Sequence, residues 1–277
     1  MIKRILVALA GSQHSERKIE EAVRLARRHD ASLTGVTIVD IDRLSDTGSV
    51  PLGAGHSAQQ LAEFRIEEAR QQSRKAVNDF VKACEKAKVR HRLYRENGDP
   101  FESLISYWRY HDLTILGLRS LWEFGVIDEP HDSIAKLIAQ GVRPVLTVDQ
   151  PFKSPVKVLV GYNGSMESAK AMKRFVSMQL WEKCDLRVVC YDENKPREEA
   201  RQLIEDALEY CREHGLEPQG EVMEGDPTKG LLEEAKRFDA DIVVAGNSHR
   251  RLILRKVFGS TTLRLIEQCE RALFLTQ

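Results

Sequence analysis

Ile5–Ser12 reads ILVALAGS and Val158–Ser165 reads VLVGYNGS: twice, an apolar, β-rich run closes in Gly-Ser just before a helical pattern. The pairing continues outward in the same order. Glu96–Pro100, ENGDP, matches Met223–Pro227, MEGDP; Asp112–Gly117, DLTILG, matches Asp241–Gly246, DIVVAG; and Val145–Val148, VLTV, matches Leu273–Thr276, LFLT. Landmarks repeated in one order identify a duplicated unit. A chain of 277 residues has room for two domains of about 100–150 residues each. Gln150–Pro155, QPFKSP, carries two prolines that cannot donate to a sheet ladder, which sets the expected domains at 1–150 and 155–277.

Within each copy, strand and helix patterns alternate. The second copy predicts strands near 156–162, 186–191, 219–224, 241–246 and 272–276. Between them lies an amphipathic stretch, Arg197–His214, with Ala200, Leu203, Ile204, Ala207, Leu208 and Cys211 on one stripe. The first copy has a longer helix in that place, near 58–88, whose expected buried side is Leu61, Phe64, Ala69, Ala76, Phe80 and Cys84. Strands of continuous Val, Ile and Leu indicate parallel sheets covered on both faces. The expected fold is therefore α/β: two tandem, doubly wound, parallel five-stranded sheets of Rossmann-like type. Asp42–His56, rich in Gly, Ser and Asp, reads as a surface loop or as a lid over a site.

Composition narrows the function. Lys+Arg and Asp+Glu balance at 42 each, so the basic excess that nucleic-acid binding requires is missing. The apolar run near the N-terminus is too short for a signal-peptide core, and no run approaches the roughly 18–20 residues of a membrane span. The expectation is a soluble, cytoplasmic protein with neither nucleic acid nor membrane as partner. The five cysteines lack CxxC spacing, and Cys84 and Cys211 fall on apolar stripes, which predicts buried free thiols. Metalloprotease, P-loop and nucleophile-elbow motifs are missing, and Asp99 and Asp226 in the two GDP turns read as helix caps with proline at the first helical position.

In doubly wound sheets ligands bind beyond the carboxyl ends of the strands, where strand order reverses. After the fourth strand of the second copy stand Gly246-Asn247-Ser248-His249, nine residues, then Gly259-Ser260-Thr261-Thr262 opening a helical run. Such a start offers bare N–H groups, hydroxyls and the positive end of a helix dipole, which suits phosphate oxygens. Ordinary capping explains the same residues, and both readings stand. His249, Arg250, Arg251, Arg255 and Lys256 lie between the two turns and either assist a polyphosphate or form a solvated segment.

This order of motifs resembles the universal stress protein family in its tandem two-domain form. The resemblance covers nearly the whole chain. It implies an adenine nucleotide alpha hydrolase-like fold, with the domains paired around their final strands, Val145–Val148 and Leu273–Thr276, as a homodimer imitated within one chain. The family's ATP-binding version carries G-x-x-G, nine residues, then Gly-(Ser/Thr), with an Asp ending the first strand. Carried over, the implied nucleotide-binding residues are Asn163, Cys190, Gly246, Asn247, His249, Arg250, Gly259, Ser260, Thr261 and Thr262. Two depart from the pattern: His249 stands at the second glycine and Asn163 at the Asp. The first copy departs further, with Ala10 for the Asp, Ser120 for the second glycine and Pro130-His131 where Gly-(Ser/Thr) belongs, and reads as a non-binding partner domain. The implied cofactor is ATP or another adenine nucleotide in the second copy, with Mg²⁺ accompanying it. The implied role is stress-associated regulation with at most slow hydrolysis, regulatory proteins and a further homodimer being the other partners. The alternative is a protein-interaction module with both pockets degenerate.

Overall fold

The computed structural model describes residues 2–9, 15–48, 54–117, 141–142, 144–148, 152–192, 196–246 and 260–276. By its internal contacts the chain divides into one unit over Ile2–Ser133 and another over Ile134–Gln277.

In the first unit, β1 (Arg4–Ala8), α1 (Ser15–His29), β2 (Ser32–Val39), α2 (Ile41–Ser45), α3 (Gly55–Lys86), β3 (His91–Asn97), α4 (Pro100–Trp108) and β4 (Leu113–Leu116) follow in order. The strands pair in parallel as β3-β2-β1-β4, with Ile5 beside Leu33 and Leu113. In the second, β5 (Val145–Thr147) precedes β6 (Val156–Gly161), α5 (Met166–Met178), β7 (Cys184–Tyr191), α6 (Arg197–Glu213), β8 (Gln219–Met223), α7 (Pro227–Arg237), β9 (Ile242–Gly246), α8 (Ser260–Gln268) and β10 (Ala272–Thr276). Here the order is β5-β10-β9-β6-β7-β8, parallel except where β5 meets β10. Phe274 opposes Leu146 and Leu275 opposes Val145, so the last strand of each repeat lies beside the other.

The α/β, Rossmann-like expectation holds, and its physical cause is visible strand by strand. β4 is buried along its whole length and β9 along four of its five residues, as a sheet sandwiched between helices demands. The edge strands differ: β3, HRLYREN, and β8, QGEVM, have no buried residue and carry charge, which discourages pairing with other chains.

The repeated Asp of DLTILG and DIVVAG has a structural task. Asp112 accepts from the backbone N–H groups of Lys3 and Arg4 at 2.8 and 3.0 Å, and Asp241 from that of Lys157 at 2.9 Å. Each carboxylate thereby fixes the start of its repeat's first strand against the fourth. The second GDP turn caps as expected, Asp226 Oδ1 accepting from Thr228 N at 2.7 Å with Pro227 opening α7.

Two expectations need correction. Leu61 and Phe64 are 45% and 65% exposed; the buried side of α3 is Ala62, Ala76, Val77, Phe80 and Cys84. Helical periodicity marked the stripe, but burial is concentrated in the second half of the helix, where it covers β2 and Phe80 packs over Gly35. The stretch read as an unpatterned loop also contains structure: Ile41–Ser45 is a short helix started by Asp40, whose carboxylate accepts from Arg43 N at 3.1 Å.

Candidate functional site

The second unit reverses its strand order between β6 and β9, which lie side by side with Val160 opposite Val244. From β6 the chain winds to β7 and β8; from β9 it winds the other way to β10. The crevice beyond the carboxyl ends of β6 and β9 is therefore the switch point at which such sheets bind ligands. Asn163 follows one strand and Gly246 ends the other.

Asn163 is held by its own turn. Its Oδ1 accepts from Ser165 N at 3.0 Å and from Ser168 Oγ at 2.8 Å, while Ser165 Oγ caps α5 by accepting from Ser168 N. An aspartate would make the same two contacts, so the change to asparagine preserves the turn and removes only the charge. Gly246 is there for closeness. A Cβ on it would lie 2.3 Å from the carbonyl oxygen of Glu167 and 2.7 Å from Ser168 N, inside the first turn of α5. Only glycine lets the strand end and that helix start approach so closely.

The opening turn of α8 is tied to the same strand end. Thr262, buried, donates its hydroxyl hydrogen to the carbonyl oxygen of Gly246 at 2.9 Å. Thr261 Oγ1 lies 3.1 Å from Thr228 Oγ1 at the start of α7. The single Thr262 proton is thus spent inside the fold. What this turn offers outward is its backbone N–H groups, which have no intrahelical acceptor at a helix start. Cys190 is fully buried in β7, with its thiol 3.8 Å from the carbonyl oxygen of Tyr191. Asn247, His249, Arg250 and Gly259 lie outside the described residues, as do Ala10, Ser120, Pro130, His131, Arg251, Arg255 and Lys256; of Ser260 the backbone alone is described.

The chain's motifs did not single out Ser168 or Tyr191. Ser168 joins Asn163 and Ser165 and is buried in the first turn of α5. Tyr191 ends β7 with its ring against Gly230 of α7, where a Cβ would come within 2.2 Å of it. Its hydroxyl is buried without a hydrogen-bond partner among the described residues, and burial pushes the phenol well above its usual range. Among the described residues no cluster of three or more His, Cys, Asp or Glu side chains could hold a metal ion, and no helix is long and apolar enough to cross a membrane.

The profile of the universal stress protein family matches residues 1–120 and 156–275. The chain belongs to that family. Both repeats are thus universal stress protein domains in tandem, and solved structures agree on the fold. A universal stress protein from Archaeoglobus fulgidus DSM 4304 superposes with a TM-score of 0.69 at 14% identity, covering 99% of this chain and 96% of its own. Another from Pseudomonas aeruginosa UCBPP-PA14 gives 0.63 at 17% identity, over 99% of this chain and 93% of its own. In sequence, the stress response protein NhaX of Bacillus subtilis (strain 168) is 28% identical over 64 residues. That match spans 23% of this chain and 39% of NhaX, under half of the relative's length.

Proposed function

We propose that the second repeat binds an adenine nucleotide, its phosphates against the first turn of α8, and that the protein works as a regulatory binding protein rather than a fast catalyst. One observation carries this reading. The Thr262–Gly246 hydrogen bond holds a helix N-terminus at the carboxyl end of β9, beside the Asn163 turn and at the switch point of the sheet. A helix start so placed directs N–H groups and a positive dipole end at one anion position. The resemblance to the ATP-binding form of the family supplies the adenine. Mg²⁺ would enter with the polyphosphate and neutralise its charge. No described side chain stands out as a base for water, and phosphoryl transfer depends on positioned charge, so any hydrolysis would be slow.

The competing reading is an interaction module without nucleotide. It draws on the internal use of the Thr262 hydroxyl and of Asn163 Oδ1, which leaves the pocket fewer side-chain donors and acceptors than its sequence offers.

Titration calorimetry with ATP, ADP and AMP on paired variants separates the two. Thr261→Pro deletes one first-turn N–H where proline is tolerated; Thr261→Val removes the hydroxyl and keeps the N–H. Losing a hydrogen bond to a charged phosphate costs about 1.5–3 kcal/mol, so Thr261→Pro should weaken binding roughly 10–100-fold while Thr261→Val stays near wild type. Absence of heat with all three nucleotides on the wild-type protein would leave the interaction module as the function.

A further inference from the structure

The two repeats end their second long helix in the same way. In α3, Lys88 N bonds Glu85 O and Val89 N bonds Cys84 O; in α6, Gly215 N bonds Arg212 O and Leu216 N bonds Cys211 O. Lys88 and Gly215 both take positive φ, 53° and 80°, and Cys84 and Cys211 are both fully buried. The two helix ends therefore correspond residue for residue: Ala83 matches Tyr210, Lys86 matches Glu213, and Ala87 matches His214.

In the second repeat this place is filled. Tyr210 and His214 stack at 4.3 Å between ring centres, and Lys173 Nζ lies over the Tyr210 ring at 5.5 Å. In the first repeat two alanines stand there, and a groove of about 700 Å³ runs between α1 and α3. Its half-buried floor is Val23, Ala83 and Ala87, and its exposed walls carry Arg27, Arg28, Lys86 and Arg24, the last paired with the buried Glu21 at 2.9 Å. Glu20 is the one carboxylate among its described lining residues. Helix dipoles account for cations in the last turns of α1 and α3. They do not account for an apolar trough between those cations, at the place where the sister repeat seats an aromatic ring.

We propose that this groove binds an acidic segment of a partner protein that inserts one aromatic side chain. The ring would lie where Tyr210 lies in the sister repeat, and flanking carboxylates would meet Arg27 on one side and Lys86 on the other. Charge complementarity selects an acidic occupant, and the floor selects against the other polyanions. A nucleic-acid backbone gains nothing from Val23 and two alanines, and the chain lacks the basic excess that counterion release rewards. A lone phosphate would leave the trough unfilled. A concavity of this size takes a side chain with its neighbours, as grooves that recognise peptides do.

The test uses the full chain and a fluorescein-labelled peptide with one tyrosine between two acidic triplets, read by fluorescence anisotropy at low salt. Ala83→Tyr/Ala87→His copies the sister repeat and closes the groove from within. Arg27→Glu/Lys86→Glu inverts one exposed charge on each side of the groove and guards against a misfolded filled variant. Saturable binding should weaken at least about tenfold in each variant, and also when the peptide's tyrosine becomes alanine, since each tenfold loss is only about 1.4 kcal/mol. It should fall as NaCl rises from about 50 to about 300 mM. Failure of the wild type to bind the peptide, undiminished binding by the filled variant, or stronger competition from inorganic triphosphate or a short RNA duplex than from unlabelled peptide would each overturn the assignment. The result is independent of whether nucleotide binds in the other repeat.

Discussion

Asn163 shows how a single atom can keep a role that a motif assigns to another residue. The oxygen that bridges Ser165 N and Ser168 Oγ is common to asparagine and aspartate, so the turn before α5 survives the exchange. His111 illustrates the reverse case, in which burial changes what a residue can do. Its Nδ1 lies 2.6 Å from Tyr107 O and its Nε2 2.8 Å from the hydroxyl of the buried Thr34. Tyr107 O can only accept, so Nδ1 carries a proton, while the Thr34 hydroxyl can donate to Nε2 of the neutral ring or accept from the charged one; burial is what favours the neutral ring. Burial is the main cause that holds the imidazole below its ordinary range, and the bond to Tyr107 O opposes this more weakly. In the unfolded chain a histidine takes up its proton near pH 6.5. The sign follows: above that pH both states are neutral and the contribution is intact, and as pH falls below it the unfolded state gains protons first and stability declines. The decline ends once pH passes below the depressed native value. His111→Gln should flatten this part of the profile, which thermal melts of both proteins between about pH 7.5 and 5 would reveal. Parallel profiles would show that His111 is not the group responsible.

At the scale of elements, the clearest energetic prediction lies in the attachment of α7 to β7. Glu234, 1% exposed, accepts from Arg187 at 2.6 Å and pairs with Arg237 at 2.5 Å; Arg187 also lies 4.5 Å from the centre of the Phe238 ring. Removing one member of a buried pair strands the other, at a cost of about 3–5 kcal/mol. Arg237 is largely solvated, so Glu234→Ala should cost nearer about 3 kcal/mol in urea denaturation. Glu234→Met, which fills the space without the charge, should recover little, because Arg187 loses its charged partner either way and keeps only the Phe238 ring and the bond to Gln219. None of this was visible in the linear chain. Strand positions were legible because continuous Val, Ile and Leu runs have one explanation in a covered parallel sheet, and the Asp226-Pro227 cap was legible because its chemistry is local. Arg187 and Glu234 meet only once β7 and α7 pack. The same holds for Gly246, whose need for a missing Cβ comes from Glu167, and for Thr262, whose hydroxyl finds Gly246 O across the fold. The exposure of Leu61 and Phe64 was hidden for a related reason: a stripe along a long helix says which side can be buried, and not where a neighbour stands to bury it.

Over the whole molecule the cysteines divide unevenly, and this gives a direct reading of how the two units respond to denaturant. Cys84 is the single thiol of Ile2–Ser133, whereas Cys184, Cys190, Cys211 and Cys269 all belong to Ile134–Gln277. All five are free, and four are buried while Cys184 is half-buried. Burial raises the thiols of Cys84 and Cys184 to about 12 and that of Cys211 to about 11, and it raises Cys269 as well. Since the thiolate is the reacting species, the native protein should label slowly with a thiol reagent near neutral pH, Cys184 being the fastest because of its partial exposure. Each unit has a core of its own, around Phe80 in one and Phe274 in the other. Domains with separate cores depart from two-state unfolding when their stabilities differ. Pulse labelling across a urea gradient, with sites assigned by mass spectrometry, should then show Cys84 becoming reactive at a different midpoint from the common midpoint of Cys190, Cys211 and Cys269. Added ATP should shift only the latter midpoint if the nucleotide sits in the second repeat, because a ligand stabilises the state that binds it by an amount set by its concentration over Kd. A single midpoint for every thiol, moved as one by nucleotide, would mean that the duplicated chain unfolds as one cooperative body.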